Sequence, residues 1–270
     1  MTSATSIHHA EQMALQLAGH SAAGEVSALW HRLAPTEPTP AVFDPSLVMD
    51  LPEPARRWLT HAIAPATPLA GAVVLEMHGH IRIGRWLPFQ AIQLQVPPDG
   101  YLWVARAGRG PVSIRGYDSY ADGTGQMRWR LLGRVPLINA AGPDLDRSAA
   151  GRVALDAFTV PISLAHPVRH LARRGRRRHR CGRMVLRRSH AASRDPGRSG
   201  RNAAFGDHAT VGFAARRAMG GYACWGILEG EASFGGITMP TRMRAGYFLG
   251  TERWGEGEFF RATITDAHFL

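Results

Sequence analysis

Lysine is absent from this 270-residue chain, so all 32 of its basic residues are arginines. Cysteine is nearly absent. Cys181 and Cys224 are too few for a disulfide framework or a cysteine-based zinc site, and they read as free thiols in a reducing compartment. No run long and apolar enough to span a bilayer occurs, and the N-terminus lacks a basic stretch followed by an apolar one. The expectation is a soluble, cytoplasmic protein. Specific catalytic signatures are missing too: there is no P-loop, Gly226 to Gly236 lacks the G-x-G-x-x-G spacing, and Ser113, Ser119 and Ser233 have no nucleophile-elbow context. A nucleotide site and a hydrolase triad are thereby set aside, and no cofactor is expected.

The formal charge of +11 would point to nucleic acid or a membrane surface, but its distribution argues otherwise. Fifteen arginines lie between His166 and Arg217 against two acids, Asp195 and Asp207, which leaves 17 arginines against 19 acids elsewhere. The body of the protein is near neutral.

Gly71 to Ala140 reads as consecutive antiparallel strands. Leu75, Met77, Ile81 and Ile83 alternate with Glu76, His78, His80 and Arg82, the period of a strand with one wet face. Phe89 to Val96 repeats this, Ile92, Leu94 and Val96 against Gln93 and Gln95, and Tyr101 to Arg106 and Met127 to Leu132 follow more loosely. Turn signals separate the runs at Pro97 to Gly100, Gly108 to Pro111 and Asp122 to Gly125. Asp118 and Asp122 do not have calcium-loop spacing, so Asp122-Gly123 is read as a hairpin turn. Strand signals return over Tyr222 to Leu228, Ile237 to Phe248 and Glu256 to Phe269.

Helical patterns flank the strands. Two short ones lie around Ala10 to Leu17 and Val26 to Leu33, followed by a proline-rich linker. Asp50 and Glu53 have capping-box spacing before a stripe of Ala55, Trp58, Leu59, Ala62 and Ile63, with Trp58 as core anchor. Gly142-Pro143 opens a small-residue helix with Ala149, Val153, Ala157 and Phe158 on one face. The reading is an α+β protein, a curved antiparallel sheet of half-barrel type packed against a few helices. The expected organisation is an N-terminal helical extension and linker (1–49), a β-rich core (50–165), an arginine-rich segment (166–220) and closing strands of the same core (221–270).

Leu51-Pro52-Glu53-Pro54-Ala55-Arg56-Arg57-Trp58-Leu59, Trp86-Leu87-Pro88-Phe89-Gln90-Ala91, Tyr120-Ala121-Asp122-Gly123, Gly142-Pro143-Asp144-Leu145-Asp146-Arg147 and Gly236-Ile237-Thr238-Met239-Pro240-Thr241 resemble, in order, an uncharacterised bacterial family of domains of unknown function. The resemblance covers about residues 50 to 165 and 221 to 270. It implies no activity and no site residues. Its element order is similar to the half-barrel of lipoprotein carriers, an analogy of fold alone.

The first functional expectation is a non-catalytic domain that holds an apolar small molecule in the concavity of its sheet, lined by Trp86, Phe89, Trp103 and Trp129. Two alternatives stand beside it: nucleic-acid binding through residues 166–217, and a metal-dependent enzyme using His78 and His80, which share a strand face with Glu76. The bland account of those histidines is a polar outer face. Residues 166–217 have no Trp or Tyr and no period of 2 or 3.6. Strings such as Arg173-Arg174-Gly175-Arg176-Arg177-Arg178 are what a GC-rich gene yields when read out of frame. A translated frameshift is one expectation for this segment, an arginine-rich arm the other, and poor order follows from either.

Overall fold

The computed structural model describes residues 3–35, 41–110, 112–164, 185–187, 208–212 and 225–270. Apart from 185–187 and 208–212, the arginine-rich stretch lies outside the described residues, as do Cys181 and Cys224.

The strand periods fold as antiparallel strands β1 (Val73–Ile83), β2 (Arg85–Val96), β3 (Gly100–Gly108), β4 (Ser113–Ala121), β5 (Thr124–Leu131) and β6 (Val135–Ala141). After these come β7 (Val185–Arg187), β8 (His208–Gly212), β9 (Trp225–Phe234), β10 (Ile237–Gly246) and β11 (Glu258–Phe269). All join one open sheet in the order β6-β5-β4-β3-β2-β1-β11-β10-β9-β8-β7. The last strand thus returns to the middle. Val73 pairs with Phe269 and Ile81 with Phe260, so the two strand-rich halves of the sequence share a core. Asp122 (φ 50) and Gly123 (φ 83) turn β4 into β5 with both central residues left-handed, the backbone of a type I′ hairpin.

Helices cover both faces, and fold class is therefore α+β. Helices α1 (Ser3–Ala18) and α2 (His20–Leu33) bury Ala10, Ala14, Val26, Leu29 and Trp30 against Val74, Ile92, Leu94, Leu102, Val104 and Tyr117. Arg115 on β4 donates to the Gln16 carbonyl at the end of α1, and Tyr117 Oη donates to Glu25 Oε2 on α2 at 2.5 Å. The opposite face carries α3 (Glu53–Ala62) and α4 (Pro143–Asp156), with Leu59, Ala62, Ala149 and Val153 packed on Val73, Leu75, Met77, Tyr101 and Trp103. A short helix, α5 (Trp254–Gly257), precedes β11.

Four local expectations change. The capping box does not form: Pro52 occupies the N-cap without a side-chain bond, and Glu53 pairs with Arg57 at 2.9 Å one turn on. Trp58 stays half-buried while Leu59 is the buried anchor, because α3 turns its Leu59/Ala62 edge to the core. The stretch read as linker packs from Ala41 onward, burying Phe43 and Val48 beside Leu59, with Phe43 N donating to the Thr67 carbonyl and Ala66 N to the Phe43 carbonyl. Gln93 and Gln95 are buried rather than wet, since α4 covers their side of β2 as α1 and α2 cover Ile92 and Leu94.

Candidate functional site

On the α4 face, polar side chains far apart in sequence converge at the end of the sheet beneath that helix. Arg152 on α4 places Nη1 3.3 Å from Asp118 Oδ2 on β4, Nε 3.4 Å from Asp156 Oδ2, and donates from Nη2 to Gln93 Oε1 at 3.4 Å. Its guanidinium lies 4.5 Å above the Tyr101 ring and 5.3 Å from that of Trp103. Gln93 Nε2 donates to Gln95 Oε1 and to Asp156 Oδ2, each at 3.0 Å, while Trp129 Nε1 donates to Asp118 Oδ1 at 2.8 Å. One cation therefore serves two carboxylates. Burial raises the Asp118 carboxyl above the ordinary range, and Arg152 with the Trp129 bond offsets only part of that. Burial likewise pushes the Tyr101 phenol up. The network fastens α4 to three strands and keeps its charges satisfied internally.

Next to it, three of the four aromatics read from the sequence as a lining come together. Trp103 lies 5.7 Å from Phe89, edge-on, and 5.6 Å from Trp129, while Phe260 of β11 stacks on Phe89 at 5.2 Å. Trp103 is 2% exposed, and its Nε1 has no hydrogen-bond partner among the described residues. Trp86 is elsewhere. It points to the other face of the sheet, where the Arg261 guanidinium lies 4.5 Å over its ring.

Away from α3 and α4 the same face stays apolar but loses its cover among the described residues. Cross-strand pairs Phe260–Ile81, Ile81–Leu87, Ala107–Ile114, Ile114–Leu131 and Leu131–Val135 run as a row across one end of the sheet. Ile81, Leu87, Ile114, Leu131 and Phe260 are half-buried, and Val135 is 53% exposed. The cavity among Ile63, Leu69, Val160, Ile162 and Ile237 measures about 10 Å³, the size of one water.

Near that end of β11, Glu258 is 2% exposed and held by Arg244 (2.5 Å) and Arg261 (2.6 Å). Burial alone would raise its pKa, but the two guanidiniums outweigh it and bring it to about 2. His78 and His80 are exposed on the face expected for them. Glu76, however, gathers with Asp266 and His268 of the neighbouring β11.

Residues 41–168 match DUF6544, a family of unknown function. The stretch is just under half of the chain, and it contains the resembling motifs from Leu51 to Arg147 but not Gly236–Thr241. It takes in Phe43 and Val48, consistent with a core that begins before residue 50. No curated protein and no solved structure matches the chain. The DUF6544 stretch supplies Gln93, Tyr101, Trp103, Asp118, Trp129, Arg152 and Asp156, hence the whole polar network and most of the aromatic cluster. Sequence reading missed Asp118, Arg152 and Asp156. Their only local signal was the pair Arg152 and Asp156, one helical turn apart on an otherwise small-residue helix.

Proposed function

We propose that this protein is a non-catalytic binding domain for an apolar small molecule, received on the α4 face at the end of the sheet that none of the described helices covers. The carrying observation is the half-buried row Ile81, Leu87, Ile114 and Phe260, which continues the buried aromatic cluster Phe89, Trp103 and Trp129 toward the surface. Contiguous apolar surface of this kind is costly to leave in water unless something covers it. Arg152 does not select an anion there, since Asp118 and Asp156 already neutralise it.

The test is a titration of the full chain with 1-anilinonaphthalene-8-sulfonate, followed by probe emission and tryptophan quenching. Saturable binding at one site, weakened about tenfold or more by Ile81→Gln or Leu87→Gln with near-ultraviolet dichroism unchanged, is the expected result. Binding that does not saturate, or that ignores both substitutions, overturns the reading.

A further inference from the structure

We propose that Glu76, Asp266 and His268 form a binding site for a divalent transition-metal cation on the face opposite α4, separate from the apolar row. The donor atoms of these three side chains all lie within 4.8 Å of one another. A bulge creates the grouping. Met77 pairs with Ile264 but Glu76 pairs with Asp266, so Thr265 is the extra residue of β11, and its Oγ1 donates to the Glu76 carbonyl at 3.2 Å. With an unbroken register Thr265 would oppose Glu76, and Asp266 and His268 would turn toward the core. The bulge instead sends Ala267 and Phe269 into the core and places Asp266 and His268 beside Glu76.

The arrangement is electrostatically unfavourable without a cation. Glu76 and Asp266 are direct cross-strand neighbours of like charge, a pairing that destabilises a sheet. His268 Nε2 is 3.4 Å from Asp266 Oδ2, so the imidazole lies beside the two carboxylates. Asp266 Oδ1 already accepts from the Ala267 amide at 2.8 Å, which orients Oδ2 toward the group. One imidazole and two carboxylates suit zinc or manganese better than soft cuprous ion, and three protein ligands leave coordination positions for water.

Full-length protein, stripped with chelator, is titrated with zinc chloride alone by calorimetry and by thermal melting. The proposal expects one tight equivalent that raises the melting temperature, with affinity reduced about tenfold or more in His268→Ala and in Glu76→Gln. The double substitution His78→Ala, His80→Ala is expected to leave that equivalent in place. Absence of saturable zinc binding below millimolar concentration overturns the proposal. So does binding that survives both His268→Ala and Glu76→Gln, or that is lost with His78 and His80 instead.

Discussion

Arg152 and Asp118 meet 3.3 Å apart across 34 residues of sequence, joining the middle of α4 to the middle of β4. Because Asp156 shares the same guanidinium, replacing Arg152 leaves two buried carboxylates without a cation. Arg152→Met keeps the stem that covers Tyr101 and removes only the charge. It is expected to cost about 3 kcal/mol or more in urea unfolding, whereas Arg152→Lys should lose less. Equal, small effects of both substitutions would show that the network does not hold α4 in place.

Glu258 makes stability depend on pH in a defined window. Its folded pKa is depressed to about 2 from the ordinary 4.5 of a glutamate, so its contribution is fully present above the unfolded value and is lost as pH falls through that interval. Asp118 works in the opposite sense. Its raised pKa favours the folded state once it is protonated, so its effect opposes that of Glu258 as acid is added. Chemical denaturation at several pH values between 6 and 2 should show a decline that Glu258→Gln flattens and Asp118→Asn does not.

Strand positions were legible because the alternation at Leu75, Met77 and their polar neighbours is a property of the backbone period. Period 2 says that Gln93 and Ile92 point apart, but not that helices cover both sides. Gln93 was therefore read as wet although it is buried by Asp156, 63 residues away. Strand β4 was hidden for a related reason: Arg115 and Asp118 interrupt its apolar pattern, and their partners, Gln16 and Arg152, are remote in sequence. Three of the expected lining aromatics met because Phe89, Trp103 and Trp129 fall on one face of adjacent strands. Trp86 did not, since it lies three positions from Phe89 on β2, an odd offset that puts it on the other face. The Glu76, Asp266 and His268 group depends on a bulge, which no local pattern announces.

The Asp122-Gly123 hairpin offers a local test of the β4–β5 register. Gly123 sits at φ 83 with nothing near its missing Cβ, so a side chain would meet backbone strain but no clash. Gly123→Val is expected to destabilise by roughly 1–2 kcal/mol, measured by urea unfolding, and Gly123→Asn by less. A neutral valine would mean that the turn adopts another geometry.

The family match stops at residue 168, beside His166 where the arginine-rich run begins, yet β9 to β11 rejoin the sheet against β1 from Trp225 onward. Among the described residues the arginine-rich interval contributes to the sheet only β7 and β8, of three and five residues, and an interval of such different composition between strand-rich halves is what two compensating shifts of reading frame would leave behind. Translating the nucleotides for residues 160–222 in the other two forward frames is expected to give one frame with alternating apolar and polar runs, tryptophan, acids and few arginines. A protein carrying that frame should melt at a higher temperature than the present chain, because text with a strand period supplies apolar side chains to the sheet where the arginine-rich text supplies few. Stop codons or equally arginine-rich text in both frames would remove this account. The fifteen arginines between His166 and Arg217 would then be a genuine basic arm, and its binding to a single-stranded RNA or DNA oligomer should fall steeply with added salt as phosphate counterions are retained.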